Sequence, residues 1–412
     1  FILWPGVAPA AADASVTDCT ESGLTAALAA GGTVTLQCSA PTTIPISSTK
    51  TVAADVTLDG GGLVTLDGQN ERRIFSVNTG RRLTLKNITL TRGSAGSDQG
   101  GAVYVAGALT VQNSSVTNSS AAQGGAVFGK DGSAISVDRT TFSNNTATDG
   151  GAILSQGPLT ITASTFQGNS ATAPDGGAIV VGDGGSITNS TLVSNTALNG
   201  GAVTTPSIGK DAVQPQRFAS GNDVTVLNST ITDNSGAGIY PRGGRVFVKN
   251  TILASNSGAN CNAIGLIVDN GGNLSSDGQC PFVSARGSLN DTDPRLGPLQ
   301  NNGGPTLTRQ PLTGSPAIDA GINDGAPTLD GRGAPRPMDG NADGAATVDM
   351  GAVEVQKYPK VYIVGNTGDS GDGSLRQAIL DNNGGGGGGA IIFTIGSGGQ
   401  TISLQSPLPP IT

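Results

Sequence analysis

Gly100-Gly101-Ala102-Val103, Gly124-Gly125-Ala126-Val127, Gly150-Gly151-Ala152-Ile153, Gly176-Gly177-Ala178-Ile179 and Gly200-Gly201-Ala202-Val203 are copies of one tetrapeptide, set 24, 26, 26 and 24 residues apart. Gly236-Ala237-Gly238-Ile239 is a degenerate further copy, reached after an extra loop placed at Thr205 to Asn222, where Pro206, Pro215 and charged residues gather. A fixed period of this length marks a solenoid. Each period also carries an Asn followed by small polar residues, at Asn118, Asn144, Asn169, Asn195, Asn234 and Asn256. Before each Asn lies one apolar residue between polar ones: Val116, Phe142, Phe166, Leu192, Ile231 and Ile252. A further short alternating run completes the period, as in Leu109-Thr110-Val111, Ile135-Ser136-Val137, Leu159-Thr160-Ile161 and Val224-Thr225-Val226.

Three short strands per period describe one coil of a parallel β-helix, in which each strand lies about 4.8 Å above its counterpart in the coil before. The expected fold is therefore all-β, a right-handed single-stranded parallel β-helix. Its interior should hold ladders of equivalent side chains, with Phe142 over Phe166, and with Val103, Val127, Ile153, Ile179, Val203 and Ile239 in one aliphatic column. Gly-Gly is expected at surface corners with φ > 0, and stacked Asn side chains are expected to satisfy turn backbone. Asn-x-Ser/Thr triplets such as Asn113-Ser114-Ser115 and Asn189-Ser190-Thr191 share the phase of that ladder and read as turns rather than glycosylation acceptors. Thr20 to Ala30 reads as a short capping helix, with Thr20 or Ser22 as N-cap.

Composition agrees. Sixty-five glycines against nine phenylalanines in 412 residues do not suit a thick globular core, and glycine lacks the every-third spacing of collagen. The formal charge of −8 leaves no basic surface for phosphates, so nucleic acid is not an expected partner. With no histidine, the usual general base, Ser-His and Cys-His pairs and His-containing zinc sites are all excluded. Residues 1–14 read as the remnant of a secretory signal peptide, with A-x-A patterns at Ala8/Ala10, Ala10/Ala12 and Ala12/Ala14. Cys19 and Cys38 are 19 residues apart, as are Cys261 and Cys280. Of the three available pairings two local loops are the simplest, each removing on the order of 3 kcal/mol of unfolded-chain entropy, and export would allow them.

The Gly-Gly-Ala-Ile/Val and Asn-x-Thr-Ala repeats, the latter at Asn145-Thr146-Ala147 and Asn195-Thr196-Ala197, resemble polymorphic outer-membrane-type adhesin repeats of the pectate-lyase-like β-helix superfamily. Four downstream runs resemble the choice-of-anchor Q domain: Asp293-Pro294-Arg295-Leu296-Gly297-Pro298-Leu299, Asn302-Gly303-Gly304-Pro305-Thr306, Gly314-Ser315-Pro316-Ala317-Ile318-Asp319-Ala320-Gly321 and Asp349-Met350-Gly351-Ala352-Val353-Glu354. Together the two resemblances span roughly Ser15 to Glu354 and imply an exported, surface-displayed or secreted bacterial protein. Arg309 stands where that family often has His, and Val348 where it often has Cys, so no role resting on those residues carries over. The expected organisation is a β-helix with its cap over 15–285, final coils and a cap over 286–356, and the start of a second, tandem β-helix over 357–412. In that last segment Ser374–Leu380 parallels the capping helix, Ala390–Phe393 parallels Thr33–Leu36, Thr401–Leu404 parallels Thr43–Ile46, and Gly384–Gly389 reads as a flexible turn.

The superfamily includes polysaccharide lyases and hydrolases, whose sites need clustered carboxylates, or calcium with an Arg or Lys base. Asp223, Asp233, Arg242, Arg245 and Lys249 are the candidates for such a cluster, and as solvated turn charges they would do nothing. Asp339, Asn341 and Asp343, with Asp349, offer alternating oxygens and glycines for a calcium loop outside the EF-hand class, although Met350 stands where a bidentate Glu is wanted. A plain Asp/Gly turn is the competing reading. A carbohydrate-binding platform would want exposed aromatics, and an ice-binding face would want Thr-x-Thr rows, which Leu83-Thr84-Leu85 does not repeat in register. No catalytic set emerges. The expected role is an adhesin-like or structural rod meeting an extracellular polysaccharide or protein, with lyase or hydrolase and carbohydrate-binding module as alternatives.

Overall fold

A computed structural model describes residues 13–173, 176–206, 223–262, 266–356, 361–384 and 390–410. These fall into two compact units, one running to Met338 and including Ala346–Val355, the other made of Asp339–Ala345 with the residues from Gln356 onward.

The first unit is the expected right-handed parallel β-helix. Equivalent strands pair in parallel through a 19-stranded and an 11-stranded sheet. The coils between Ala108 and Val181 each contribute four short strands, one more than the sequence suggested, and in other coils neighbouring strands merge. In one coil these are Ala108–Gln112, Ser115–Thr117, Ser120–Gln123 and Val127–Gly129. Ile153 pairs with Ile179, and Val127 with both Val103 and Ile153, so the aliphatic column runs as expected. Phe142 lies over Phe166 with ring centroids 4.9 Å apart and planes 1° from parallel, both fully buried. This column continues through Leu192 and Ile231 to Leu253, not to Ile252 as the polar-apolar-polar pattern implied. Ile252 faces the other way and packs with Leu274, Ala317 and Met350 in a separate cluster. Outward-facing apolar residues are stable there because a second layer of chain covers them.

The Gly-Gly corners are buried rather than exposed, and the two glycines answer different demands. Gly100, Gly124 and Gly150 take φ of 68°, 60° and 63°, the left-handed region that a Cβ disfavours. Gly125 does not, but a Cβ there would stand 2.2 Å from the Gly151 carbonyl oxygen of the next coil. Coil-on-coil backbone contact thus both hides the second glycine and requires it.

Helix α1 (Glu21–Ala30) caps one end. Thr20 Oγ1 accepts a hydrogen bond from Gly23 N at 3.1 Å, and Leu24, Ala27 and Leu28 are buried on the ladder ends. Both expected disulfides are present: Cys19–Cys38 ties the cap to the first coil and Cys261–Cys280 lies at the opposite end. At that end Asp269 replaces an apolar rung above Val248, and its carboxylate accepts from Gly271 N, Val283 N, Asn273 Nδ2 and Ser288 Oγ. A polar residue can close the column because the chain around it supplies donors.

The region expected to form final coils and a cap does so only briefly. Leu289 bridges Leu274 in parallel, one step of continued stacking. The chain then runs back along the flank of the helix as a strap. Its main chain meets Thr165 at Leu307, Asn189 at Leu329, Asn250 at Ile322 and Thr230 at Ala352.

In the second unit Val361–Val364 and Ala390–Phe393 pair in parallel on either side of α2 (Leu375–Gly384). The same strand-helix-strand order, Ala14–Val16, α1 and Gly32–Leu36, opens the first unit. Thr401–Leu404, matched in sequence to Thr43–Ile46, forms no strand, whereas Thr42–Pro45 in the first unit is held by a strand of the following coil. The proposed signal remnant and the glycine run, apart from Asp13, Ala14 and Gly384, lie outside the described residues, as does the extra loop from 207 to 222.

Candidate functional site

Of the charged residues singled out in sequence, Asp223 and Arg245 come together and the rest are held apart. Arg245 forms an ion pair with Asp223 and lies over the Phe247 ring at 4.9 Å. The Arg245 guanidinium hydrogen-bonded to Asp223 holds that carboxyl below the usual range. Lys249 Nζ donates to the Asp324 carbonyl, and Arg242 N donates to Thr205 O at 3.1 Å. Asp233 instead pairs with Arg309 of the strap. Each is engaged by an adjacent coil or by the strap, and the five do not meet at one acid-base centre.

Asp233 does line a cleft of about 640 Å³ between the coil turns and the strap, with Ser255 and Ser276 on one side and Asp291, Asp293, Arg295 and Arg309 on the other. Arg309 is held by the Gly297 carbonyl at 2.8 Å and by Thr232 Oγ1 at 3.2 Å. Arg295 Nη1 donates to the Gly314 carbonyl at 3.1 Å. Sequence reasoning missed this grouping, because the strap residues are separated from Asp233 by the turns that bring the chain back.

The residues considered for calcium satisfy one another. Asp339 accepts from Asp343 N and Gly344 N, Asn341 Oδ1 from Asp343 N, and Asp343 Oδ1 from Ala345 N. That is an Asp/Gly turn closed by its own amides. Asp349 is used elsewhere: it is buried, and its carboxylate accepts from Asp319 N at 2.7 Å and Val355 N at 2.6 Å. Among the described residues no group of three or more His, Cys, Asp or Glu is arranged to hold a metal ion. Burial, reinforced by the nearby Glu354 charge, pushes the Asp349 carboxyl up to about 8, and burial also raises Glu354 against the lowering effect of Arg336. Arg336 and Glu354 form a wholly buried ion pair at 3.1 Å, which locks the strap internally.

The repeated feature on the outside is a hydroxyl row. Thr89, Ser115, Thr141 and Thr165 are register partners on successive coils, and so are Thr91, Thr117, Ser143 and Gln167. Thr-x-Thr-type pairs are therefore in register on the second strand of the coil, and the first strand repeats as well, with Thr57, Thr84, Thr110, Ser136 and Thr160 as successive partners, which corrects the expectation drawn from Leu83-Thr84-Leu85. Thr117 Oγ1 donates to Thr91 Oγ1 at 3.0 Å along the row. Its signal was present in the sequence as the polar residues flanking each apolar rung.

Residues 139–156 match the Chlamydia polymorphic membrane protein repeat. No curated protein matches the chain. Among solved structures the chain is similar to the crystal structure of pectate lyase Pel9A, with a TM-score of 0.44 and 15% identity over 79% of this chain and 86% of that one.

Proposed function

We propose that the chain is an exported, cell-surface or secreted rod that works by contact, as an adhesin or structural element, rather than by catalysis. The observation that carries this reading is the contrast between two sets of residues. Asp223 and Arg245 are taken up by each other and Asp233 and Lys249 by the strap, whereas the outward hydroxyls repeat from coil to coil. A flat face that offers the same weak contact many times binds through avidity and needs no deep pocket. The match of residues 139–156 to a polymorphic membrane protein repeat supports a surface location. The strand-helix-strand opening repeated in the second unit supports a tandem arrangement of such rods.

A second reading is favoured by the cleft at Asp233, where carboxylates and guanidinium groups face one volume as they would in a sugar-cleaving site. Purified protein should be retained on bacterial or host cells, or on insoluble polysaccharide, while releasing no unsaturated or reducing ends from polyuronates with calcium present. Product release that disappears in Asp233→Ala or Arg309→Ala would overturn the contact reading in favour of lyase or hydrolase chemistry.

A further inference from the structure

We propose that the flank of the coils between Asn87 and Ser143 docks an extended polypeptide segment of a partner protein, gripped through its main chain. The proposal rests on the contact reading above and specifies the partner. It starts from a turn that every coil shares. Asn87, Asn113, Arg139, Ala163, Asn189, Asn228 and Asn250 all have φ between 44° and 52°, and each stands two residues before the first outward residue of the second strand. This geometry points the turn side chain and the following hydroxyl toward the same flank.

On the later coils that flank is occupied, and the structure shows what it grips. Thr165 Oγ1 donates to the Leu307 carbonyl at 2.6 Å, Asn189 Nδ2 to the Leu329 carbonyl at 2.8 Å, and Asn250 Nδ2 to the Ile322 carbonyl at 2.9 Å. In the reverse sense, Thr230 Oγ1 accepts from Ala352 N at 3.0 Å, and Asn250 Oδ1 from Ile322 N at 2.8 Å. In this row the hydroxyls and amides address peptide carbonyls and N–H groups of the strap; in the adjoining outward row Thr232 Oγ1 accepts from the Arg309 side chain. Hydroxyl and amide side chains can each donate and accept, which suits a chain that presents both groups.

The same row continues without a break onto the earlier coils, where no strap lies on it. There Thr89, Ser115 and Thr141 occupy the positions of Thr165 and Thr230, and Asn113 that of Asn189. Among the described residues the Asn113 side chain and the Thr89, Ser115 and Thr141 hydroxyls make no hydrogen bond. Of the charges beside the row, Arg139 is paired with Asp138 and Arg92 with Asp67, which leaves Lys86 at its edge and no charge cluster along it. Neither outward row presents an aromatic face for a sugar ring between Thr89 and Ser143. An extended, uncharged polypeptide is the occupant that this continuity with the strap interface supports.

The test uses the full chain and a fluorophore-labelled, end-capped peptide with the strap's own uncharged sequence, Asn301 to Thr308, titrated by fluorescence anisotropy. Saturable binding is expected. It should weaken by roughly tenfold or more in the triple variant Thr89→Val, Ser115→Ala, Thr141→Val. It should be unchanged in Thr84→Val, Thr110→Val, Ser136→Ala, which alters the neighbouring row. Ser115→Lys, a single change at a half-exposed site, should obstruct docking and serves if the triple variant folds poorly. Absence of saturable binding at millimolar protein, or equal loss in both triple variants, would overturn the proposal. If the protein ignores the peptide but is retained on cells or insoluble polysaccharide, the polypeptide occupant is refuted and the contact reading stands. Failure of all three refutes both.

Discussion

Asn195 shows how a single residue can hold adjacent coils together. Its Nδ2 donates to the Phe166 carbonyl and to Asn234 Oδ1, both at 2.9 Å, while its Oδ1 accepts from Asn169 N at 3.0 Å and Asn169 Nδ2 at 2.9 Å. It is wholly buried, so Asn195→Ala would leave several polar groups without partners in the interior. Each such orphan costs about 1–3 kcal/mol, and the expected loss in urea unfolding is about 3 kcal/mol or more. Asn144→Ala should cost under about 1 kcal/mol, because Asn144 is exposed at a left-handed turn position with φ 55°. The ladder was legible in sequence, but its phase was not: Asn145, not Asn144, is the rung below Asn169, and Ser119 rather than Asn118 lies below that. Neighbouring Asn residues serve a turn and a ladder, and only the register separates them. Glycine divides similarly. Gly125→Ala should destabilise far more than Gly132→Ala, since a Cβ at Gly132 meets nothing within 4 Å and bears only the strain of φ 77°, whereas at Gly125 it meets backbone. Comparing the two unfolding midpoints checks this.

The strap is the element whose position the sequence concealed. Its Pro- and Asp-rich composition announced a break in the repeat, but composition carries no information on whether chain lies across an end or along a flank. What fixes it is long-range hydrogen bonding to Thr165, Asn189, Thr230 and Asn250, residues that in sequence look like any other coil turn. Its internal lock has a pH signature. Asp349 titrates at about 8 in the folded chain against an ordinary 3.8, so folding favours the protonated carboxyl. The associated stability is fully present below 3.8 and is lost as pH rises toward about 8. Glu354, also raised, acts in the same sense. Melting temperature should therefore fall across that window in the wild type and fall less steeply in Asp349→Asn; identical slopes would contradict the assignment. The disulfides, by contrast, follow the simplest of the three pairings that the spacing and the expected export allowed. Replacing Cys261 and Cys280 together by Ser should cost about 2–4 kcal/mol in denaturant unfolding.

For the first unit as a whole, the decisive property is that coils stack each on its neighbours, with the strap as the segment that crosses several of them, so surface contact along the strap-free coils is a sum over repeats. The fold was legible because the repeat imposes one pattern many times, so an error of phase at one rung leaves the architecture intact. The cleft at Asp233 was not legible, since it depends on where a non-repeating strap comes to rest. A sum over coils differs sharply from a localised active site, and deletion of one period distinguishes them. Removing Gly125–Gly150 joins Gly124 to Gly151, keeps the Gly-Gly-Ala motif and takes out one 26-residue coil with Thr141 and Ser143. The measurement is retention of this shortened, folded protein on the surface that holds the full chain, with Asp233→Ala beside it. A distributed contact face predicts graded weakening on loss of the coil and near-normal retention in Asp233→Ala. Full retention without the coil, together with complete loss in Asp233→Ala, would place function in the cleft and contradict the account.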